Sequence, residues 1–158
     1  MNYTLSDLIQ KLIDIEKDFF NIYVILEEKS DNKSSAIYAV IKVIKKREKN
    51  HIKYYEKLKD DLTNELNESI EFYLYDKISK LLSEFKLYIH LPEIKSVQDL
   101  IKYTVEFKRD NIGLLLDIQG RLLEKIDDVN SNVYKILSQI IKYEEKHEKM
   151  FEKLLISK

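Results

Sequence analysis

The strongest chemical signal in the sequence is a glutamate followed three residues later by a histidine, which occurs twice. The two pairs are Glu48 with His51 and Glu144 with His147. On a helix, this spacing brings both side chains to the same side, one turn apart. Carboxylate and imidazole groups without sulfur suit iron or manganese, with zinc as a further option. Each pair is therefore a candidate for half of a metal site.

The hydrophobic pattern predicts that these pairs, and Glu16 with them, lie on buried helix faces. Each of the three glutamates interrupts a stripe of apolar residues at helical spacing. The stripes are Leu5, Leu8, Leu12, Phe19 and Tyr23; Ile37, Ile41, Ile44, Tyr55 and Leu58; and Val133, Leu137, Ile140, Phe151 and Leu154. Carboxylates that converge in a core need cations to offset their burial. We therefore predict a metal site formed by Glu16, Glu48, His51, Glu144 and His147.

Four long helices are predicted to position these residues, at about 4–29, 35–60, 96–123 and 131–156. Between the second and third lies a connection of about 35 residues, which holds a predicted short helix near Asp76 to Tyr88 and a stop at Pro92. Glu16, Glu48, position 108 and Glu144 all fall near mid-helix, so they can meet whichever way the helices run. This pattern predicts one all-α domain over residues 1–158, a four-helix bundle with a long crossover between helices 2 and 3. Bundles with one such crossover have the ferritin-like arrangement.

Composition excludes several other classes of protein. The absence of cysteine rules out disulfides, thiolate zinc sites and iron-sulfur clusters, and we expect no haem. The formal charge of -1 argues against a nucleic-acid partner. No apolar stretch approaches the length of a bilayer, and the first residues do not resemble a signal peptide. We therefore expect a cytoplasmic protein with no membrane partner.

The two glutamate-histidine helices also resemble a known family. Residues 48–58 and 144–154 repeat one another at seven matched positions, six of them identical. Residues 143–151 look like the last helix of rubrerythrin-like proteins, and residues 47–51 resemble their second. The resemblance implies membership of the ferritin-like di-iron carboxylate superfamily, in which two helices each give one glutamate and two give Glu-x-x-His. Five of those six positions are filled here, by Glu16, Glu48, His51, Glu144 and His147.

The sixth position departs from the family pattern, because Lys108 stands where the remaining glutamate belongs. Lys108 shares a helix face with Thr104, Ile112 and Leu115, whereas the nearby Glu106 falls on a different face. We predict Lys108 inside and Glu106 outside, although a π-bulge could reverse this register. Three readings of Lys108 remain open: its ammonium replaces a second metal ion, its amine is deprotonated and ligates, or the bundle has lost its metal. In the first reading, one divalent ion plus one ammonium neutralises three carboxylates.

Two functional hypotheses follow from the sequence. The first is a rubrerythrin-like, non-haem protein that binds one or two ions of iron, or of manganese or zinc. By resemblance, it would perform redox chemistry related to oxidative stress, or handle iron. The alternative is a degenerate bundle without redox activity that serves as a structural or partner-binding module. Whether the protein is an enzyme is left open. By resemblance to the family, in which dimers are common, a homodimer is one possible assembly, although no seam in the sequence proves it. Tyr23 and Tyr55 are candidates to support the ligands, and His90 has no carboxylate partner in the pattern.

Overall fold

The computed structural model describes residues 3–64, 66–123 and 126–156 and is almost entirely helical. The prediction of an all-α fold is therefore confirmed. The helices are α1 (Leu5–Lys29), α2 (Ala36–Asp60), α3 (Phe72–Tyr88), α4 (Val97–Arg121) and α5 (Asn132–Ile156), with a 3-10 helix (Ile126–Asn130) before the last. Two short strands, β1 (Tyr3–Thr4) and β2 (Ser69–Ile70), pair in antiparallel fashion with Tyr3 opposite Ile70.

Side-chain caps fix the starts of four of the helices. Thr4, Ser35, Ser96 and Ser131 each accept a hydrogen bond from the backbone N–H three residues ahead. A cap of this kind satisfies one of the amides that the first helical turn leaves without a partner. These caps explain why the predicted starts of the four long helices agree with the observed starts to within one residue.

The four 25-residue helices pack as two hairpins. α1 packs mainly on α2, and α4 packs mainly on α5. The connection between the hairpins runs from Asp61 to Ser96 and contains α3, which packs on α1 and α4. β2 lies in this connection, so its pairing with β1 ties the start of α1 to the crossover. The core lies along the inner faces of these helices, and large side chains such as Phe19, Tyr23 and Tyr55 are almost completely buried in it.

The start of α3 and the exposure of Leu154 differ from the sequence prediction. α3 begins at Phe72, four residues before the expected start, and no side chain caps it at Glu71. Without a capping signal, the sequence does not mark where this helix begins. Leu154 was expected in the core, but it is 47% exposed. It lies in the last turn of α5, one turn beyond Phe151, where the buried stripe ends.

Among the described residues, no helix combines the length and the apolar character that a membrane crossing requires.

Candidate metal centre

The candidate centre is a cluster of charged side chains at the middle of the core, supplied by all four long helices. α1 contributes Glu16, α2 contributes Glu48 and His51, α4 contributes Lys108 and α5 contributes Glu144. Each of these five side chains is at most 1% exposed. Such complete burial of charge is costly unless the charges are paired, so the contacts within the cluster determine its chemistry.

Lys108 is the cation at the middle of this cluster. Its Nζ lies 2.6 Å from Glu48 Oε1 and 3.7 Å from Glu144 Oε2. The shorter contact is a close ion pair between two fully buried groups. Burial alone would lower the pKa of Lys108, but the surrounding carboxylates of Glu48, Glu144 and Glu16 outweigh burial and raise it. The side chain of Lys108 is therefore an ammonium ion. Glu106, two residues earlier, lies exposed on the outer face of α4.

His51 is held as a neutral imidazole by its surroundings. Burial is the largest cause that lowers its pKa, and the nearby charge of Lys108 lowers it further. Its Nδ1 lies 3.1 Å from Lys108 Nζ. An ammonium group can only donate, so Nδ1 accepts this hydrogen bond and the ring proton is on Nε2. Nδ1 also faces the carboxylates, at 3.9 Å from Glu48 Oε2 and 3.7 Å from Glu144 Oε1.

Glu16 carries the proton of the cluster in the absence of a metal ion. Its Oε1 accepts a hydrogen bond of 3.1 Å from Asn111 Nδ2. Burial raises the pKa of Glu16 well above its ordinary value, and the charges of Glu144 and Glu48 raise it further. A protonated Glu16 relieves part of the repulsion between the three carboxyl groups.

Two buried tyrosines support the cluster by different routes. Tyr55 donates a hydrogen bond to Glu144 Oε1, and Tyr23 forms a hydrogen bond with Thr104. Burial raises the pKa of both phenols, so both remain protonated near neutral pH. Of the two tyrosines that the sequence suggested as support for the ligands, Tyr55 contacts a carboxylate of the centre directly. The contact between Asn111 and Glu16 was not predicted, although Asn111 lies three residues after Lys108 and thus on the same side of α4.

Several buried nitrogen and oxygen atoms in the cluster have no hydrogen-bond partner among the described residues. With all three carboxyl groups ionised they are Glu16 Oε2, Glu48 Oε2, Glu144 Oε2 and His51 Nε2, whereas a protonated Glu16 can donate to Glu48. Buried polar atoms without partners are uncommon in folded proteins. One ligand atom each from Glu16, His51 and Glu144 lies within 4.8 Å of the other two, a spacing that one metal ion could bridge. The donors present therefore fit a divalent ion held by two carboxylates and one imidazole.

Of the five predicted ligands, Glu16, His51 and Glu144 form this compact group. Glu48 lies beside it, paired with Lys108. His147 lies outside it and is partly exposed. Its Nδ1 donates to the carbonyl oxygen of Tyr143 at 2.7 Å, and its ring packs edge-on against the ring of His51 at 4.3 Å. The Glu-x-x-His spacing does not indicate that His147 bonds to the preceding helical turn, so the sequence did not predict this contact.

Comparisons with known proteins do not assign this chain to a group. The chain matches no protein-family model, no curated protein and no solved structure.

Proposed function

We propose that this protein is a ferritin-like four-helix bundle, similar to rubrerythrin, that binds one divalent iron or manganese ion at Glu16, His51 and Glu144. The observation that carries the proposal is the group of three buried side chains, each with one ligand atom within 4.8 Å of the other two, in which Glu16 and Glu144 each have a carboxylate oxygen without a hydrogen-bond partner. A bound ion would supply Lewis-acid or redox chemistry at this position.

The charges of the centre support one ion rather than two. The carboxylates of Glu16, Glu48 and Glu144 carry three negative charges when ionised, and the Lys108 ammonium cancels one of them. A single divalent ion cancels the other two, so the filled centre is neutral. A second ion would add two uncompensated positive charges close to an ammonium group. Lys108 therefore stands in for the second metal ion of a di-iron centre.

Metal binding requires a local rearrangement around His51. Its Nδ1 faces the carboxylates but accepts a hydrogen bond from Lys108, and one lone pair cannot serve both partners. Lys108 can give up this contact and keep its ion pair with Glu48. Asn111 and Tyr55 then hold the carboxyl groups of Glu16 and Glu144 in place.

Elemental analysis of the protein, purified without a chelator and then loaded with Fe²⁺ or Mn²⁺, tests this proposal. We expect close to one ion per chain in the wild type and loss of the ion in His51→Gln. Replacement of Lys108 by Glu restores the carboxylate that the family pattern has at this position, so the K108E variant should take up close to two ions. His90→Gln is the matched control, because the side chain of His90 is exposed and makes its hydrogen bond to the Tyr88 carbonyl oxygen, outside the cluster. A loaded wild-type protein that holds no ion would contradict the proposal.

A second candidate function is a bundle that uses the same cluster only as an internal ion-pair network and serves as a structural or partner-binding module. The contacts of Lys108 with Glu48 and His51 favour it, because the ammonium compensates buried negative charge and occupies the imidazole lone pair that a metal ion would need. Elemental analysis separates the two candidate functions, because the ion-pair network predicts no bound ion in the wild type or in the H51Q variant.

A further inference from the structure

A groove between α2 and α5 lies directly outside His51. Its volume is about 470 Å³, within the roughly 300–1,000 Å³ typical of small-molecule sites. Val43 and Lys46 are exposed at its edge, so the groove is open to solvent. Its lining consists of Val43, Lys46, Arg47, Asn50, His51, Tyr143 and His147. The lining includes two permanent cations and two imidazoles but no carboxylate, so its electrostatic character is positive.

Arg47 is the arginine of this chain that lacks a carboxylate partner among the described residues. Arg109 pairs with Glu148 and Glu152, and Arg121 pairs with Asp117. Arg47 instead lies against the side chains of Met150 and Phe151, with Nη1 3.2 Å from the Met150 sulfur and the guanidinium carbon 5.7 Å from the ring centroid. These contacts orient the guanidinium group without neutralising it. A guanidinium group presents parallel N–H donors that match the two oxygens of a carboxylate or a phosphate.

His51 adds a buried donor at the floor of the same groove. Its Nδ1 is turned toward Lys108, which leaves Nε2 on the other edge of the ring. Nε2 carries the ring proton, is buried and has no acceptor among the described residues. The imidazole of His147 packs against this ring but makes its own hydrogen bond to the backbone through Nδ1. A buried N–H without an acceptor is costly, and an oxygen atom of a ligand would satisfy it.

We propose that the α2–α5 groove binds a small oxyanion, a phosphate or a carboxylate, through Arg47 and the Nε2–H group of His51. Lys46 at the rim attracts the anion, and the rings of Tyr143 and His147 form the wall that a small organic group would contact. The proposal requires no metal ion, since every donor it uses belongs to the chain.

The three histidines of the chain provide a direct test by NMR. The imidazole signals of metal-free protein are followed during titration with inorganic phosphate and, separately, with acetate, at constant ionic strength maintained with chloride. We expect the signals of His51 and His147 to shift along a saturating curve with at least one of the two anions. His90 lies in the connection between α3 and α4 and should not shift, so it serves as an internal control. A response to phosphate alone identifies a phosphorylated ligand class, and a response to acetate identifies a carboxylate.

Arginine variants complete the test. Arg47→Gln should weaken binding by about tenfold or more, because it removes a charge-assisted pair of hydrogen bonds. Arg47→Lys keeps the charge and much of the packing on Phe151 but loses the planar pair of donors, so it should weaken binding by less. Arg121→Gln, on the exposed side of α4, should bind like the wild type. The proposal is overturned if neither anion gives a saturating curve, if all three histidines shift alike, or if R47Q and R47K both bind as tightly as the wild type.

Discussion

At the scale of single residues, the positive charge of Lys108 offsets the repulsion between carboxylates that are buried together in the core. Its replacement by methionine keeps a side chain of similar length but removes the ammonium group that pairs with Glu48 and Glu144. Removal of one partner from a buried ion pair typically costs about 3 to 5 kcal/mol. We expect metal-free K108M to lose stability by about this amount in urea unfolding.

Lys102→Met is the matched control for this change. Lys102 lies on the same helix but on its exposed face. Surface substitutions of this kind usually change stability by less than about 0.5 kcal/mol. Equal stability of K108M and K102M would show that Lys108 does not compensate the buried charge.

The protonation of Glu16 predicts how the stability of the metal-free protein depends on pH. The folded state retains a proton on Glu16 that the unfolded state releases above about pH 4.5, because the pKa of Glu16 is raised. The folded state lacks a proton on His51 that the unfolded state binds below about pH 6.5, because the pKa of His51 is lowered. Between about pH 4.5 and pH 6.5, the effects of Glu16 and His51 on the pH dependence of stability cancel. Above pH 6.5 only the effect of Glu16 remains, and stability falls as pH rises toward its raised pKa.

The expected slope is about 1.4 kcal/mol per pH unit for one proton, measured by urea unfolding of metal-free protein at a series of pH values above 6.5. Glu16→Gln keeps the shape and the neutral charge of the protonated side chain but cannot lose the proton. Its stability should therefore be nearly constant over the same range. A wild-type profile as flat as that of E16Q would mean that Glu16 is already ionised in the folded protein.

The sequence predicted the burial of this cluster better than its internal contacts. Glu16, Glu48 and Lys108 could be placed inside because each falls in register with an apolar stripe, and a helix carries that register over many turns. The contact of Lys108 with His51, and that of His147 with the Tyr143 carbonyl, depend on side-chain rotamers and on the approach of other helices. Spacing along one helix contains no information about either.

At the scale of secondary structure, Glu68 connects the crossover to the start of α5. Its carboxylate oxygens accept hydrogen bonds from the backbone N–H groups of Asn132 and Val133 at 3.4 and 3.3 Å. A carboxylate at a helix N-terminus also interacts favourably with the helix dipole. Glu68→Ala should therefore destabilise the protein by about 1 kcal/mol in thermal or urea unfolding.

Glu71→Ala provides the comparison for this prediction. Glu71 lies in the same segment, is exposed and makes no capping hydrogen bond with its side chain. Its replacement should change stability by less than about 0.5 kcal/mol. If E68A and E71A have the same effect, the contact of Glu68 with α5 does not contribute to stability.

The boundaries of the four long helices were predictable because each has a polar cap followed by an apolar stripe. The two short strands were not predicted. Each has only two residues, and their pairing joins positions more than sixty residues apart. Short strands carry no periodic pattern of their own, so only the folded chain reveals them.

At the scale of the whole molecule, metal binding should stabilise the folded state. Glu16 lies on α1, His51 on α2 and Glu144 on α5, so an unfolded chain does not hold these ligands together. At a free metal concentration of 100 times the dissociation constant, the added stability is about 2.7 kcal/mol. We expect Mn²⁺ to raise the melting temperature of the wild type and of H90Q but not of H51Q, as measured by circular dichroism. An equal rise in H51Q would place the ion outside the proposed centre.

The segment at residues 61–64, exposed except for the partly buried Leu62, separates two halves that each contain only part of the charged cluster. A break in the chain there leaves one fragment with Glu16, Glu48 and His51, and another with Lys108 and Glu144. The first fragment has no buried cation to pair with Glu48, whereas Lys108 and Glu144 in the second fragment can pair with each other. β1 stays with the first fragment and β2 with the second, so their pairing can guide reassembly. The two fragments should therefore behave as a split protein, which regains its helical structure and its Lys108–Glu48 pair only when both pieces are mixed.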